Sequence, residues 1–148
     1  MTNPKFLTPE NAPTDAVWVE RIGERKYVGY NDRGAQVTIA GAGVEGTFTP
    51  GELLKLAAGA CTGLVTDRAL ARRAGADYNA QVHVSSVKND PENRYETFAE
   101  TLVVDLNALE PEARERLLGL IQSTVESQCT VGRTIEAGAK ITLEVVPD

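Results

Sequence analysis

Hydrophobic positions are sparse at the start of the chain. Pro4, Pro9 and Pro13 punctuate residues 1–14, which read as an extended arm. Three short runs rich in β-formers follow. Val17-Trp18-Val19 and Lys26-Tyr27-Val28-Gly29-Tyr30 flank a turn at Ile22-Gly23-Glu24-Arg25, and Asn31-Asp32-Arg33-Gly34 leads into the alternating Gln36-Val37-Thr38-Ile39. A loop with three glycines occupies residues 41–46. The period of the pattern then changes from two to 3.6. Thr49-Pro50-Gly51-Glu52 has the chemistry of a helix start: a capping hydroxyl, a proline in the first turn and a carboxylate at the third helical position. Apolar residues Leu53, Leu54, Ala57, Ala60, Cys61, Leu64, Val65 and Ala69 recur at helical spacing towards Ala74, and Gly75 supplies a stop. Ala57-Ala58-Gly59-Ala60 carries almost no side-chain volume, so another element must approach this helix closely. It is expected to be central and buried.

Period two returns over 81–87. The turn Asn89-Asp90-Pro91-Glu92-Asn93 leads into a longer strand over 95–105. A second helix is expected from Pro111, capped by Asn107 or Glu110, with Leu117, Leu118, Ile121 and Val125 inward and an end near Ser127. After Gly138, the alternation of Ile141, Leu143 and Val145 predicts a closing strand. The order is βββ-α-ββ-α-β. Strands clustered in this way point to an α+β fold, with antiparallel sheets around central helices, rather than a doubly wound sheet. The chain has no repeat or linker and reads as a single domain over residues 1–148.

Composition narrows the function classes. With 42% hydrophobic and 24% charged residues, the chain falls in the globular range. No apolar run approaches the roughly 20 residues of a membrane span. The N-terminus lacks the apolar run of a signal peptide, so the expected compartment is the cytoplasm, where thiols stay reduced. The formal net charge of −6, with Arg68, Arg72 and Arg73 as the one dense basic group, argues against a nucleic-acid partner.

Chemistry centres on two cysteines far apart in sequence, Cys61 and Cys129. Their spacing matches neither a CxxC pair nor a zinc quartet, so they are either two buried small hydrophobes or a redox couple. Cys61 lies on the apolar stripe of the first helix. Cys129 lies where the second helix gives way to Thr130-Val131-Gly132-Arg133. If a short helix starts there, its free N–H groups favour a thiolate, and Arg133 adds positive charge. His83 faces away from Val82 and Val84 and reads as a surface or satisfied strand residue. Trp18 reads as packing. Ser85-Ser86 lacks the setting of a hydrolase nucleophile, and Gly41-x-Gly43-x-x-Gly46 lacks the βαβ context of a dinucleotide loop.

The run Thr49-Pro50-Gly51-Glu52-Leu53-Leu54-Lys55-Leu56-Ala57-Ala58-Gly59-Ala60-Cys61 resembles the central helix of the OsmC/organic hydroperoxide resistance family. Gln128-Cys129-Thr130-Val131-Gly132-Arg133-Thr134-Ile135 resembles that family's second-cysteine segment, and the likeness covers residues 15–147. The resemblance implies an intertwined homodimer with each active site at the subunit interface. It implies thiol-dependent reduction of organic hydroperoxides in oxidative stress defence, with Cys61 attacking and Cys129 resolving the sulfenic acid as a disulfide. The implied reductant is a small dithiol or a lipoylated protein, and no metal, flavin, haem or other cofactor is implied. An apolar wall from Leu53, Leu54, Leu64 and Val65 would favour alkyl or fatty-acid hydroperoxides. The family also uses an arginine held by a glutamate. Arg25 stands about where one branch carries the arginine, with Arg21 and Arg33 as alternatives. Glu52 stands one position after the expected glutamate, where Gly51 is found, so it is either that glutamate or a first-turn carboxylate; Glu45 is a further candidate. The alternative function is an OsmC-like dimer that binds a small apolar ligand or senses redox state without efficient turnover. A purely structural role, with the cysteines as core filler, is a third.

Overall fold

The computed structural model describes residues 6–147, so the first five residues of the expected arm lie outside the described residues. The elements are β1 (Val17–Gly23), β2 (Lys26–Asn31), β3 (Gln36–Ala40), α1 (Pro50–Ala74), β4 (Ala80–Asn89), β5 (Arg94–Val104), α2 (Pro111–Gln128) and α3 (Thr130–Ala137). This is an α+β chain whose strand pairs are all antiparallel, as the clustering of strands predicts. The expected closing strand does not form: residues 138–147 have no regular structure, with Ile141 94% and Leu143 88% exposed. Alternation fits a chain for a strand, but a strand also needs a neighbour to receive its N–H and C=O groups. The chain divides into two compact units: residues up to Leu53 together with those from Ile141 on, and Leu54–Lys140.

The first unit carries the meander β1-β2-β3. Gly23 pairs with Lys26, so the turn shortens to Glu24-Arg25, with Arg25 in the left-handed region at φ 52°. Asn31 closes the next turn by accepting the backbone N–H groups of Arg33 (2.9 Å) and Ala35 (3.0 Å) on its side-chain oxygen. Trp18 stacks on Tyr30 across the strands with ring centroids 5.4 Å apart, a packing role as expected. Backbone hydrogen bonds join Ala40 and Thr38 to Phe48 at 3.0 Å each and close the glycine-rich loop.

α1 begins and ends where its sequence signals stand. The Thr49 hydroxyl accepts from the Glu52 N–H at 3.1 Å, and the Glu52 carboxylate accepts from the Thr49 N–H at 2.9 Å, a reciprocal capping box. Gly75, at φ 101°, terminates the helix. In the second unit β4 and β5 form a hairpin whose half-buried residues include Val82, Val84, Phe98 and Leu102. A Cβ at Gly59 would come within 2.9 Å of the Val84 side chain, so the missing side chain is what lets α1 and β4 approach. Leu70, Leu106, Leu117 and Ile121 form the core, with Tyr78, Leu102, Val104 and Val125 packed on it.

Two expectations about faces are corrected. The buried face of α1 is Ala58, Gly59, Thr62, Thr66 and Leu70, whereas Leu54 and Leu64 point outward, Leu64 being 78% exposed. The Thr66 hydroxyl donates to the Thr62 carbonyl at 2.8 Å, which satisfies it internally and lets threonine pack as a small apolar group. Leu118, expected inward, is half exposed, because Leu117 takes the core position and the next residue on a helix turns by about 100°.

Candidate functional site: two thiols in contact

Cys129 joins α2 to α3. Its N–H donates to the Val125 carbonyl (3.1 Å), its carbonyl accepts from the Arg133 N–H (2.9 Å), and it is the N-cap of α3. One residue thus ends one helix and starts the next, and its side chain turns inward, leaving it 2% exposed. The Sγ accepts the Gly132 N–H at 3.4 Å. A Cβ at Gly132 would stand 3.2 Å from that sulfur, so the glycine gives the thiol its room.

Cys61 reaches the same point from the middle of α1. It is half-buried, and its thiol makes a hydrogen-bond contact with Cys129; both are free thiols. The two sequence-predicted cysteines are therefore brought together. Burial pushes the Cys129 thiol above its ordinary range, and the Cys61 contact acts the same way. Hydrogen bonds from the Gly132 N–H and the Thr62 side chain pull down and are outweighed. Cys129 is accordingly a neutral thiol at neutral pH. The expectation that a helix start would favour its thiolate is corrected by the loss of water around it. Arg133, expected to add positive charge at Cys129, donates from Nη1 to the Ser127 carbonyl at 2.9 Å.

Two residues at this site escaped the sequence reading. Thr62, 5% exposed, acts to lower the pKa of the Cys129 thiol and donates its hydroxyl to both carboxylate oxygens of Glu100, at 2.9 and 3.1 Å. A signal for Glu100 was present: it falls in phase with Phe98 and Leu102 on β5, a charge where alternation calls for an apolar residue.

The remaining candidates, His83 on β4 apart, lie in the first unit. Arg25 lines a cavity of about 500 Å³ with Arg21, Tyr27, Ile39, Gly41 and Pro50. Its Nη2 would lie 3.4 Å from a Cβ at Gly41, so the guanidinium rests against bare backbone. Arg33 instead pairs with Asp32 (3.2 Å) and Asp15 (3.9 Å) on an exposed turn. Glu52 holds the capping box, and Glu45 is exposed in the loop. His83 is exposed and bonded to Gln81 at 2.9 Å. Among the described residues, no helix is long and apolar enough to cross a membrane.

Comparison with known proteins agrees with the resemblance. The chain is 49% identical over 130 residues to an uncharacterised protein of Mycobacterium tuberculosis, covering 88% of this chain and 95% of that one. Its fold is similar to that of an OsmC-like protein of unknown function from Vibrio cholerae, with a TM-score of 0.61 and 12% identity over 84% of this chain and 95% of that one. It is also similar to the organic hydroperoxide resistance protein OhrB of Bacillus subtilis, with a TM-score of 0.52 and 22% identity over 82% of this chain and 90% of that one. The family model described as OsmC-like protein matches residues 43–144, which include both cysteines, and the chain belongs to that family.

Proposed function

We propose that this protein is a two-cysteine peroxidase that reduces organic hydroperoxides. The observation that carries the reading is the contact between the Cys61 and Cys129 thiols, one half-buried and the other enclosed. The Cys61 thiolate attacks the O–O bond of the hydroperoxide, an alcohol leaves, and Cys61 becomes a sulfenic acid. The Cys129 thiol then attacks the sulfenic sulfur, the disulfide forms and water leaves. A dithiol, free or as protein-bound lipoyl, reduces the disulfide and restores both thiols. The neutral state of Cys129 suits the second role: a thiol held protonated does not compete for the peroxide, and it lies within reach of the sulfenic acid. The Bacillus relative of similar fold, by its name a hydroperoxide resistance protein, supports the substrate class.

The reading extends to a homodimer. Ile141, Leu143 and Val145 are exposed beside unpaired backbone, and Leu54, Leu56 and Leu64 are exposed along α1. Exposed apolar residues on each of these segments favour association. Arg25 and Glu52 enter on the family resemblance, as the cation serving the thiolate and the carboxylate that holds it.

Purified protein with cumene hydroperoxide and dihydrolipoamide is expected to turn over many times. Cys61→Ser should abolish turnover, and Cys129→Ser should leave one round of peroxide loss. Arg25→Ala should slow the first step by about 100-fold, within the range of removing one electrostatic stabiliser. Glu52→Gln, which retains a capping side chain, should slow it less. Unchanged turnover in Cys61→Ser would overturn the proposal, and disulfide formation without repeated turnover would favour a redox sensor instead.

A further inference from the structure

α1 ends in a turn that folds the chain back along the helix's own flank. Gly75 stops the helix in the left-handed region at φ 101°, and the Tyr78 N–H donates to the Gly75 carbonyl at 3.2 Å. This returns Tyr78 to the side of Asp67, about two helical turns before the stop, and the phenol donates to Asp67 Oδ1 at 2.5 Å. Asp67, Tyr78 and Thr66 are the polar side chains lining a cavity of about 410 Å³ within the second unit. The rest of its wall is small or aliphatic, from Ala60 and Gly63 on α1 to Val82 on β4 and Leu102 on β5. A Cβ at Gly63 would meet nothing within 4 Å, so the glycine leaves the helix side of the cavity open. Neither cysteine lines it, which sets it apart from the thiol site.

The polar side chains of this cavity offer acceptors and no free proton. Thr66 donates its hydroxyl to the Thr62 and Gly63 carbonyls at 2.8 and 3.2 Å. Tyr78 donates to Asp67; that bond first, then burial and the carboxylate charge, push the phenol up to about 12, so it stays protonated at neutral pH. An ionised carboxylate only accepts, and Asp67 has no cation within ion-pair distance among the described residues. A divalent metal would call for about six oxygen ligands. Among the described residues, no three His, Cys, Asp or Glu side chains gather to supply them. One carboxylate and one phenol oxygen above a carbon wall suit an organic cation instead.

We propose that this cavity binds a small alkylammonium ion, with its N–H groups on the Asp67 carboxylate and the Tyr78 oxygen and its carbon chain along Val82 and Leu102. An ammonium group has donors and no acceptor, the complement of this lining. The volume lies within the range of small-molecule pockets, roughly 300–1,000 Å³.

Calorimetric titration of the full-length reduced protein with hexylammonium, hexanol and hexanoate tests the assignment. One hexylammonium should bind per chain with a dissociation constant below about 1 mM, an affinity open to a ligand of so few atoms. Hexanol and hexanoate should bind at least tenfold more weakly, since one lacks the charge and the other carries the wrong sign. Asp67→Asn keeps an oxygen that can accept from Tyr78. It should weaken hexylammonium by about tenfold or more, the effect of losing one charge-assisted hydrogen bond. Gly63→Leu puts carbon into the cavity through a residue that favours the helix, leaves Asp67 in place, and should abolish binding. Absent binding of hexylammonium to the wild type, equal affinity for hexanol, or an affinity unchanged in Asp67→Asn or Gly63→Leu would each overturn the assignment. None of these outcomes depends on the thiols, so failure here leaves the two-cysteine reading standing.

Discussion

A few atoms decide the behaviour of Cys129. Its raised pKa means that the folded state binds the thiol proton more tightly than the unfolded chain does. The stabilisation is therefore present below the ordinary thiol value of 9.0 and is lost as pH rises past it towards the folded value. Melting temperatures of the reduced protein should fall above about pH 9, with a smaller fall in Cys129→Ala. Iodoacetamide at pH 7.5 should label Cys61 first, since Cys129 is neutral and enclosed; equal labelling, read by mass spectrometry, would contradict the geometry. Gly132→Ala places a Cβ 3.2 Å from the Cys129 sulfur. Displacing the thiol should slow disulfide formation about tenfold, the factor that ~1.4 kcal/mol corresponds to. Peroxide consumption in the first step should not change. Gly132 stood inside the recognised cysteine segment, but its meaning appeared only when the α2–α3 junction pointed the sulfur back at it.

At the scale of elements, the site depends on how closely α1 lies against the β4–β5 hairpin. Gly59 marks the contact, with a prospective Cβ at 2.9 Å from Val84 Cγ2. Gly59→Ala is expected to destabilise the fold by about 1–3 kcal/mol through overpacking, more than offsetting its gain in helix propensity. Gly59→Ala with Val84→Ala should recover part of that loss in urea unfolding. An unaltered midpoint for the single variant would show that the two elements are not held together there. The bare run Ala57-Ala58-Gly59-Ala60 announced a close approach from sequence alone. The face that makes it did not follow from the apolar stripe, because a hydropathy pattern scores Thr62 and Thr66 as polar. Their hydroxyls find partners in the Thr62 carbonyl and Glu100, and the rest of each side chain then packs like a small hydrophobe.

For the whole molecule, the unpaired segment after α3 carries the prediction. Ile141, Leu143 and Val145 have the alternation of a strand with one apolar face, yet all three are exposed. If these residues bind a second copy, light scattering should report a dimer. Replacing Ile141 and Leu143 together by Asp should shift the population to monomer or raise the dissociation constant at least tenfold. A dimer indifferent to that double change would place the association elsewhere.

The sequence by itself determined what depends on neighbours along the chain. The three early strands, the start of α1 at its capping box, its stop at Gly75 and the turns at Asn31 and Asn93 are local matters, settled by φ preferences and by side chains reaching two to four residues away. The two cysteine segments, each a short local pattern, likewise sufficed to indicate the family. Tertiary structure alone decided that the two sulfurs meet, that burial outweighs the helix start at Cys129, that Thr62 faces Glu100, and that the last alternating segment finds no strand partner among the described residues. These outcomes turn on which groups lose water and which surfaces meet across long stretches of sequence, and desolvation and packing carry no periodicity along the chain to be read in advance.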